Sequence, residues 1–368
     1  MSAAVLRRLK VAGYRSVRDL DLDLGPVNVV VGPNGCGKTN LYRSLFLLAS
    51  GASGTLARTL AEEGGIPSVV WAGPRKKEPV RFSVEVELED FHYELVCGPV
   101  PPVPGEPHHF KLDPEIKEER AYVADGKRRH LVLERKDRTA FLRDSEGNRA
   151  TFPGDLWSNE SVLAQLAEPH RFPVLSALRA QFLGWRFYHH FRTDIDAPVR
   201  QPQIGIRTPV LSHDGSDLAA ALQTIILIGD APALTEHLER AFPGAELEIE
   251  AIDGRFRTLL QMPTLLRPLD ARELSDGTLR YLCLLAALLS PRPPPLLALN
   301  EPETSLHPDL LIPLAELLTA ASKRCQLWVT THSELLAGEL QRLTGVEPIR
   351  LAKKNGATVL AEEAQSSA

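Results

Sequence analysis

The segment from Gly32 to Thr39 reads GPNGCGKT, and its residue types could grip a chain of phosphates. It fits the pattern GxxxxGK[ST] at Gly32, Gly37, Lys38 and Thr39, with Pro33, Asn34, Gly35 and Cys36 inside and Asn40 following. The apolar run VNVVV precedes it and NLYRSLFLLAS follows, the strand-then-helix context the pattern needs. Glycines let backbone N–H groups curl around a phosphate, and a helix N-terminus adds positive potential. Lys38 then reaches the β- and γ-phosphates of ATP, and the Thr39 hydroxyl holds Mg²⁺. Cys36 reads as a small packing residue, with a redox-gated loop as the alternative, because helix N-termini lower thiol pKa.

Three further stretches carry chemistry. LLALNEPETSLHP is an apolar strand ending in Asn300 and Glu301. Glu301, just past the tip, is placed to polarise an attacking water. An aspartate that helps hold Mg²⁺ is expected where Asn300 stands. Asn keeps a carbonyl acceptor but loses the charge, a loss of about 1–2 kcal/mol, near tenfold in metal affinity. Losing a general base costs about 10²- to 10⁴-fold in rate, so the retained Glu301 outweighs the Asn300 change. A slow but competent hydrolase with a weakened Mg²⁺ grip is expected. VTTHS ends a strand at His332, which could hydrogen-bond the γ-phosphate or the water. ELSDGT, Glu273 to Thr278, opens a helix, where Ser275 and the Gly277 N–H could donate to a γ-phosphate presented from outside. Two phosphate-binding elements suggest a site completed by a second subunit.

The elements that must position these residues are legible in outline. LRRLKVAGY, RDLDLDL and VNVVV read as strands. VRFSVEVELED alternates strictly, with Val80, Phe82, Val84, Val86 and Leu88 on one face, and FHYELVCG is its antiparallel partner. The proline-rich GPVPPVPGEP reads as a linker, KRRHLVLERKDRTAFLRD as a basic strand pair, and 160–183 and 216–242 as helical. Recurrent prolines exclude a long coiled coil. LSDGTLRYLCLLAALLS and HPDLLIPLAELLTAAS read as helices around the strand LLALN, with CQLWVTTHS another strand. Strands alternating with helices imply a parallel sheet covered on both faces.

The expected organisation is therefore α/β, in three stretches: residues 1–98 with the phosphate loop and antiparallel strands, 99–270 a central helical and β insertion, and 271–368 the second half of the nucleotide lobe. At 368 residues one large or two intimate domains are expected. The four cysteines are far apart without a CxxC pair, which argues against a disulfide or zinc framework and fits a reducing cytoplasm. No secretory signal opens the chain, and the longest apolar stretch, Tyr281 to Leu299, holds four prolines and Arg292, so no membrane span is expected. Paired histidines at 108–109 and 189–190 lack carboxylates or cysteines at ligand spacing and read as structural.

The set GYRSVRDLDL…GPNGCGKTN, LSDGT, LLALNEPETSLHP and VTTHS resembles the ABC-type ATPases of the SMC/RecF branch, and most closely the compact RecF-like ATPases grouped as AAA-21. The likeness covers about residues 1–98 and 271–335. It implies a P-loop NTPase head with a mixed or parallel sheet and an antiparallel β subdomain, working as a head-to-head homodimer with two ATPs at the interface. Lys38 and Thr39 would bind one ATP while the partner's signature segment, Ser275 and Gly277, closes over it. Glu301 would be the catalytic carboxylate, His332 the switch histidine, 303–308 the D-loop, and Arg15 of GYRS would lie near the nucleotide. The family's Q-loop glutamine falls on Gln165, Gln181, Gln201 or Gln203.

The resemblance also points to DNA repair or maintenance, or to phage defence beside an OLD-like nuclease. Only 36 residues follow His332, so a nuclease or effector would be a separate chain. Net charge is −5, so DNA contact needs a local patch. Lys127, Arg128, Arg129, Arg135, Lys136, Arg138 and Arg143 form a candidate phosphate-contacting ribbon, with PRKK at 74–77 a second patch. The interleaved Glu134, Asp137 and Asp144 favour a solvated hairpin face instead. A further alternative is an ATP-gated dimerisation switch that regulates a partner protein without meaningful turnover.

Overall fold

The computed structural model describes residues 5–74, 79–101, 109–126, 128–152 and 154–365. The chain folds as two compact units: Met1–Gly25, Gly32–Trp185 and Arg350–Ala368 form the first, and Pro26–Val31 with Arg186–Ile349 the second.

In the first unit, β1 (Leu6–Tyr14) and β2 (Val17–Asp23) form a hairpin; β3 (Val27–Val31) then belongs to the second unit. Helix α1 (Lys38–Ser53) buries Leu41, Leu45, Leu48 and Ala52, one stripe at helical spacing. It packs on β1, on the short helix α2 (Leu56–Glu62) and on β4 (Phe82–Leu88) beyond α3 (Ile66–Val69). The alternation expected along β4 holds for Phe82, Val84, Val86 and Leu88, all buried, whereas Val80 lies before the strand and is exposed. β4 pairs antiparallel with β5 (Phe91–Pro99), as the alternating pattern predicts. β6 (Pro114–Asp125), β7 (Arg128–Lys136), β8 (Thr139–Arg143) and β9 (Arg149–Thr151) extend this sheet to eight strands, in the order β2-β1-β4-β5-β6-β7-β8-β9. Helices α4 (Val162–Gln165) and α5 (Pro173–Gly184) pack on α1. An edge-to-face ring contact between Tyr93 and Phe182, at 5.2 Å, joins α5 to the sheet, and Trp185, just past the helix, packs back on Phe182 at 4.9 Å.

The second unit is built on parallel strands in the order β10 (Arg186–Tyr188), β15 (Leu296–Asn300), β16 (Gln326–Thr331), β3. β3 and β16 are buried along their whole length, the continuous apolar run typical of a sheet covered on both faces. Between β10 and β15 come β11 (Gln203–Ile204), helices α6 (Leu218–Ile228) and α7 (Ala231–Ala241), β12 (Glu246–Ile252), β13 (Arg255–Gln261), β14 (Leu269–Asp270) and α8 (Asp276–Leu288). β11, β13 and β12 make a small antiparallel sheet with β14 on β13. Every residue of α8 from Leu279 to Leu288 is buried, so this helix runs through the core rather than along its edge. α9 (Leu311–Ser322) and α10 (Glu334–Thr344) complete the core. The last strands, β17 (Ile349–Lys354) and β18 (Ala357–Leu360), form an antiparallel hairpin. No helix among the described residues is long and apolar enough to cross a membrane.

Candidate nucleotide-binding site

Parallel strands β15, β16 and β3 end together, with Asn300 opposite Thr330 and Thr331 opposite Val31. Gly32 follows Val31 directly, so the phosphate loop leaves the sheet at its carboxyl edge, where ligands of open α/β sheets bind.

Within the loop, Pro33, Asn34 and Gly35 are exposed. Gly35 has φ +76°, and a Cβ there would touch nothing within 4 Å. Gly37, with φ +113°, is different: a Cβ would stand 2.1 Å from Thr358 Oγ1 and 3.0 Å from Ser16 Oγ. Only glycine fits between the loop and its support. That support is a hydroxyl relay. Asn40 Nδ2 donates to Ser16 Oγ (2.8 Å), Ser16 donates to Thr358 Oγ1 (2.8 Å), and Thr358 donates to the Cys36 carbonyl (2.8 Å). Lys38 is buried, and its Nζ donates to the Gly32 carbonyl at 2.7 Å and lies 3.4 Å from that of Pro33. Cys36 is 1 % exposed, in keeping with a packing role. The open glycine edge and the lysine curled over it suit a phosphate chain, and Thr39, half-buried, offers a hydroxyl for Mg²⁺. Arg15, at φ +49°, gives Nη2 to Glu63 (2.7 Å), where Arg43 and the Tyr14 hydroxyl also converge.

At the tip of β15 the Thr330 hydroxyl donates to Asn300 Oδ1 (2.9 Å), which fixes the amide. One lone pair of that oxygen remains for a metal-bound water. Glu301 takes the left-handed conformation, φ +47°, and its N–H bonds the Thr330 carbonyl at 2.9 Å. Two residues on, Glu303 has the opposite environment: its side chain is 4 % exposed against 30 % for Glu301. Glu303 Oε1 accepts from the Thr331 hydroxyl (2.5 Å) and the His332 N–H (3.0 Å), and lies 3.2 Å from His332 Nδ1. Glu301 Oε2 is 3.9 Å from the same nitrogen. A carboxylate on Nδ1 holds the proton there and leaves Nε2 as the acceptor. The two glutamates thus divide the work, Glu303 orienting His332 and Glu301 reaching solvent.

Ser275 caps α8, its Oγ accepting from the Thr278 N–H at 3.1 Å. A Cβ on Gly277 would come 2.7 Å from the carbonyl of Ser305, itself at φ +65°, so the helix start and the following loop touch without room to spare. Ser275, Gly277, Ser305, His307 and Phe242 line an open cleft of about 790 Å³. Arg200, 7 % exposed, secures the turn before the helix. It donates to the carbonyls of Ala271 and Leu274 and pairs with Asp276 at 2.6 Å. Sequence reading singled out neither Arg200 nor Thr358, since their partners stand more than 70 and 300 residues away in the chain and leave no spacing signal. Gln165 and Gln203 are engaged locally, with Trp157 N–H and Ala219 N–H donating to their carbonyls.

The candidate DNA ribbon is corrected at one position. Arg135 is completely buried: it donates to the carbonyls of Asp137, Glu160 and Trp157 and faces Glu119 at 3.7 Å, so it serves the core and cannot touch a phosphate. Strand alternation explains this, because Leu133 and Arg135 share the inward face. Arg129 pairs with Glu87 at 2.8 Å, Lys136 lies 3.7 Å from Glu134, and Arg143 bonds backbone carbonyls. Arg128 and Arg138 are exposed, with no ion pair among the described residues. Lys127 and most of the 74–77 patch lie outside the described residues. Among the described residues one group has metal-ligand proximity, Glu85, Glu87 and His92, but Arg8 and Arg129 already pair with Glu87.

Comparison with known proteins identifies the family and the fold. Residues 27–338 match the AAA_21 family model, described as "AAA domain, putative AbiEii toxin, Type IV TA system". An OLD nuclease of Thermus scotoductus is 48% identical over 44 residues, 12% of this chain and 8% of that protein. The DNA replication and repair protein RecF of Renibacterium salmoninarum is 39% identical over 90 residues, 23% of this chain and 21% of that one. The matched segments thus span less than a quarter of either relative. An SMC head bound to the C-terminal winged-helix domain of ScpA superposes with a TM-score of 0.57 at 15% identity, over 98% of this chain and 100% of that one. An SMC head derived from Pyrococcus furiosus gives 0.52 at 14% identity, over 99% and 98%. The chain has the α/β fold of an SMC head and belongs to the AAA_21 family, among the SMC/RecF-like ABC-type ATPases.

Proposed function

We propose that this chain binds ATP with Mg²⁺ and hydrolyses it slowly, in a homodimer that forms on ATP, in the service of DNA repair, DNA maintenance or phage defence. The observation that carries the reading is the division of labour between Glu301 and Glu303 around His332. A relic site would have no reason to keep one carboxylate buried on the histidine and a second, solvent-reaching one beside it. In this reading Lys38 and the loop N–H groups hold the phosphates and Glu301 takes the proton of the attacking water. His332, held through Nδ1–H, would accept a hydrogen bond at Nε2 from the attacking water. Mg²⁺ neutralises phosphate charge when bound, with Thr39 and Asn300 the residues that would hold it. The partner's Ser275 and Gly277 would cover the γ-phosphate.

The functional division would then be a phosphate-loop half, 1–98, a central insertion, 99–270, and a signature and hydrolysis half, 271–368. DNA contact rests on Arg128 and Arg138, with Lys136 and Arg129 available once their ion pairs open. RecF supports it by name as a DNA repair protein. A separate nuclease or effector subunit, and a cytoplasmic location, belong to the same proposal. The Thr330–Asn300 bond favours one second reading, a switch that binds ATP and dimerises without turnover. Duplex and single-stranded DNA titrated into an ATPase assay at two salt concentrations tests the DNA part. Stimulation that weakens with salt is expected. Turnover unaffected by either DNA would remove it.

A further inference from the structure

Helix α6 changes character in its last turn. Leu218 to Leu222, Thr224 and Ile225 are buried, yet Ile226, Leu227 and Ile228 follow at 37, 67 and 56 % exposed. Large aliphatics gain by leaving water, so three in a row on a folded surface mark a place where something covers them. Neighbouring segments extend the patch. Thr224 Oγ1 accepts from the Thr208 N–H at 2.9 Å, and Leu227 and Ile228, three and four residues on, lie on the same side of the helix. Ile206, 63 % exposed, stands two residues before Thr208. Past the helix, a Cβ on Gly229 would lie 3.1 Å from Pro291 Cγ, and Ser290 Oγ donates to the Pro209 carbonyl at 2.5 Å. Segment 206–209, the end of α6 and the turn at 290–292 therefore meet, all within the second unit. Arg207 and Arg292, one on each flanking segment, are exposed with no ion pair among the described residues. Asp230, two residues past the helix, is engaged in capping α7, its carboxylate accepting from the Ala233 N–H at 3.0 Å. The turn leads into β15 at Leu296, the end of that strand opposite Asn300, so the patch stands clear of the strand tips.

We propose that this surface is the docking site for an acidic amphipathic helix of a separate protein, whose aliphatic face covers Ile206, Leu227 and Ile228 and whose carboxylates pair with Arg207 and Arg292. A helix end with adjoining turns offers aliphatic side chains and little free backbone, which suits the apolar face of a helix rather than an added strand. Charge selects the occupant. A second copy docked through the same patch would set arginines against arginines across a twofold axis. A lipid surface is held by roughly four to eight clustered cations, whereas two are present here on a chain of net charge −5. An acidic helix meets both the aliphatics and the unpaired guanidinium groups, which can hold carboxylates two-pronged. The proposal does not depend on ATP hydrolysis.

The probe is a fluorescent synthetic helical peptide with leucines on one face bordered by glutamates, beside a copy with lysine at every glutamate position. The full chain is expected to bind the glutamate peptide with a Kd of about 10–100 μM and the lysine copy on the order of tenfold more weakly. Bound peptide should protect the amides of 206–208 and 226–229 from hydrogen exchange. Leu227→Ser with Ile228→Ser should melt like wild type, since both side chains are exposed, and bind the glutamate peptide about tenfold more weakly. Arg207→Glu with Arg292→Glu should reverse the preference toward the lysine peptide, and this pair carries the test should the serine variant melt early. Absent binding, equal binding of the two peptides, or protection confined to other segments would overturn the proposal. Preferential binding to phosphatidylserine vesicles would overturn it in favour of a membrane. A dimer that dissociates in the serine variant would overturn it in favour of a second copy. Any wild-type ATP turnover should persist in both double variants, so failed docking and failed hydrolysis read out separately.

Discussion

The tips of β15 and β16 and the ribbon β7–β8 are both rich in charge, yet they handle it in opposite ways. At the tips Glu303, Thr331 and His332 satisfy one another within a few residues, and Glu301, 30 % exposed, stands 3.9 Å from His332 Nδ1. On the ribbon Arg129 is matched by Glu87 from another strand and Arg135 is sunk into the core beside Glu119, while Arg128 and Arg138 stay exposed. A half-buried carboxylate beside a fully buried orienting one is the arrangement that suits chemistry. Charge neutralised across strands marks a sheet holding itself together.

The sharpest way to break this contrast is Arg135→Ala. Removing one partner of a buried ion pair leaves the other uncompensated, so a loss of about 3–5 kcal/mol is expected in urea unfolding. Lys136→Ala and Arg138→Ala should each stay within about 0.5 kcal/mol, as exposed substitutions do. A ribbon in which all three behave alike would mean that Arg135 is a surface residue after all.

This contrast also shows what the sequence could reveal. The loop GPNGCGKT, the tip residues Asn300 and Glu301 and the cap Ser275 were legible because their roles depend on backbone geometry and short spacing. The strand and helix order around them followed from periodicity, including the β4–β5 pair and the buried α8. Arg135 was misread, since a charge run carries no mark of the one residue that faces inward. Strand β10, only three residues long, and β6, β12 and β13 were not separated from the central insertion, because charged and proline-flanked strands give a weak alternating signal. Thr358 and Arg200 act through partners distant in the chain, which no local pattern encodes.

A middle-sized effect should come from Thr358→Val, which keeps shape but removes the donor to the Cys36 carbonyl. A stability loss of about 1–2 kcal/mol is expected, with ATP affinity reduced several-fold in calorimetry, because the loop loses its buttress. Unchanged affinity would detach the hairpin from the nucleotide site.

The smallest expected effect concerns pH. Burial lowers the pKa of His237, whose surroundings include Glu236, Arg240, Glu316 and Asp230. A histidine whose folded pKa lies below its unfolded value contributes stability above about pH 6.5 that is lost as pH falls toward the folded pKa. The melting temperature should therefore drop by about 2–4 °C more between pH 7.5 and 5.5 in the wild type than in His237→Gln. Equal drops would show that the ring is solvated.

The most direct measurement is phosphate release from Mg-ATP across a range of protein concentrations, beside Glu301→Gln. Specific activity that rises with protein concentration and falls about 10²- to 10⁴-fold in Glu301→Gln is the predicted result, a composite site working despite Asn300. Wild-type release no greater than that of Glu301→Gln at every concentration would contradict hydrolysis and leave an ATP-binding switch.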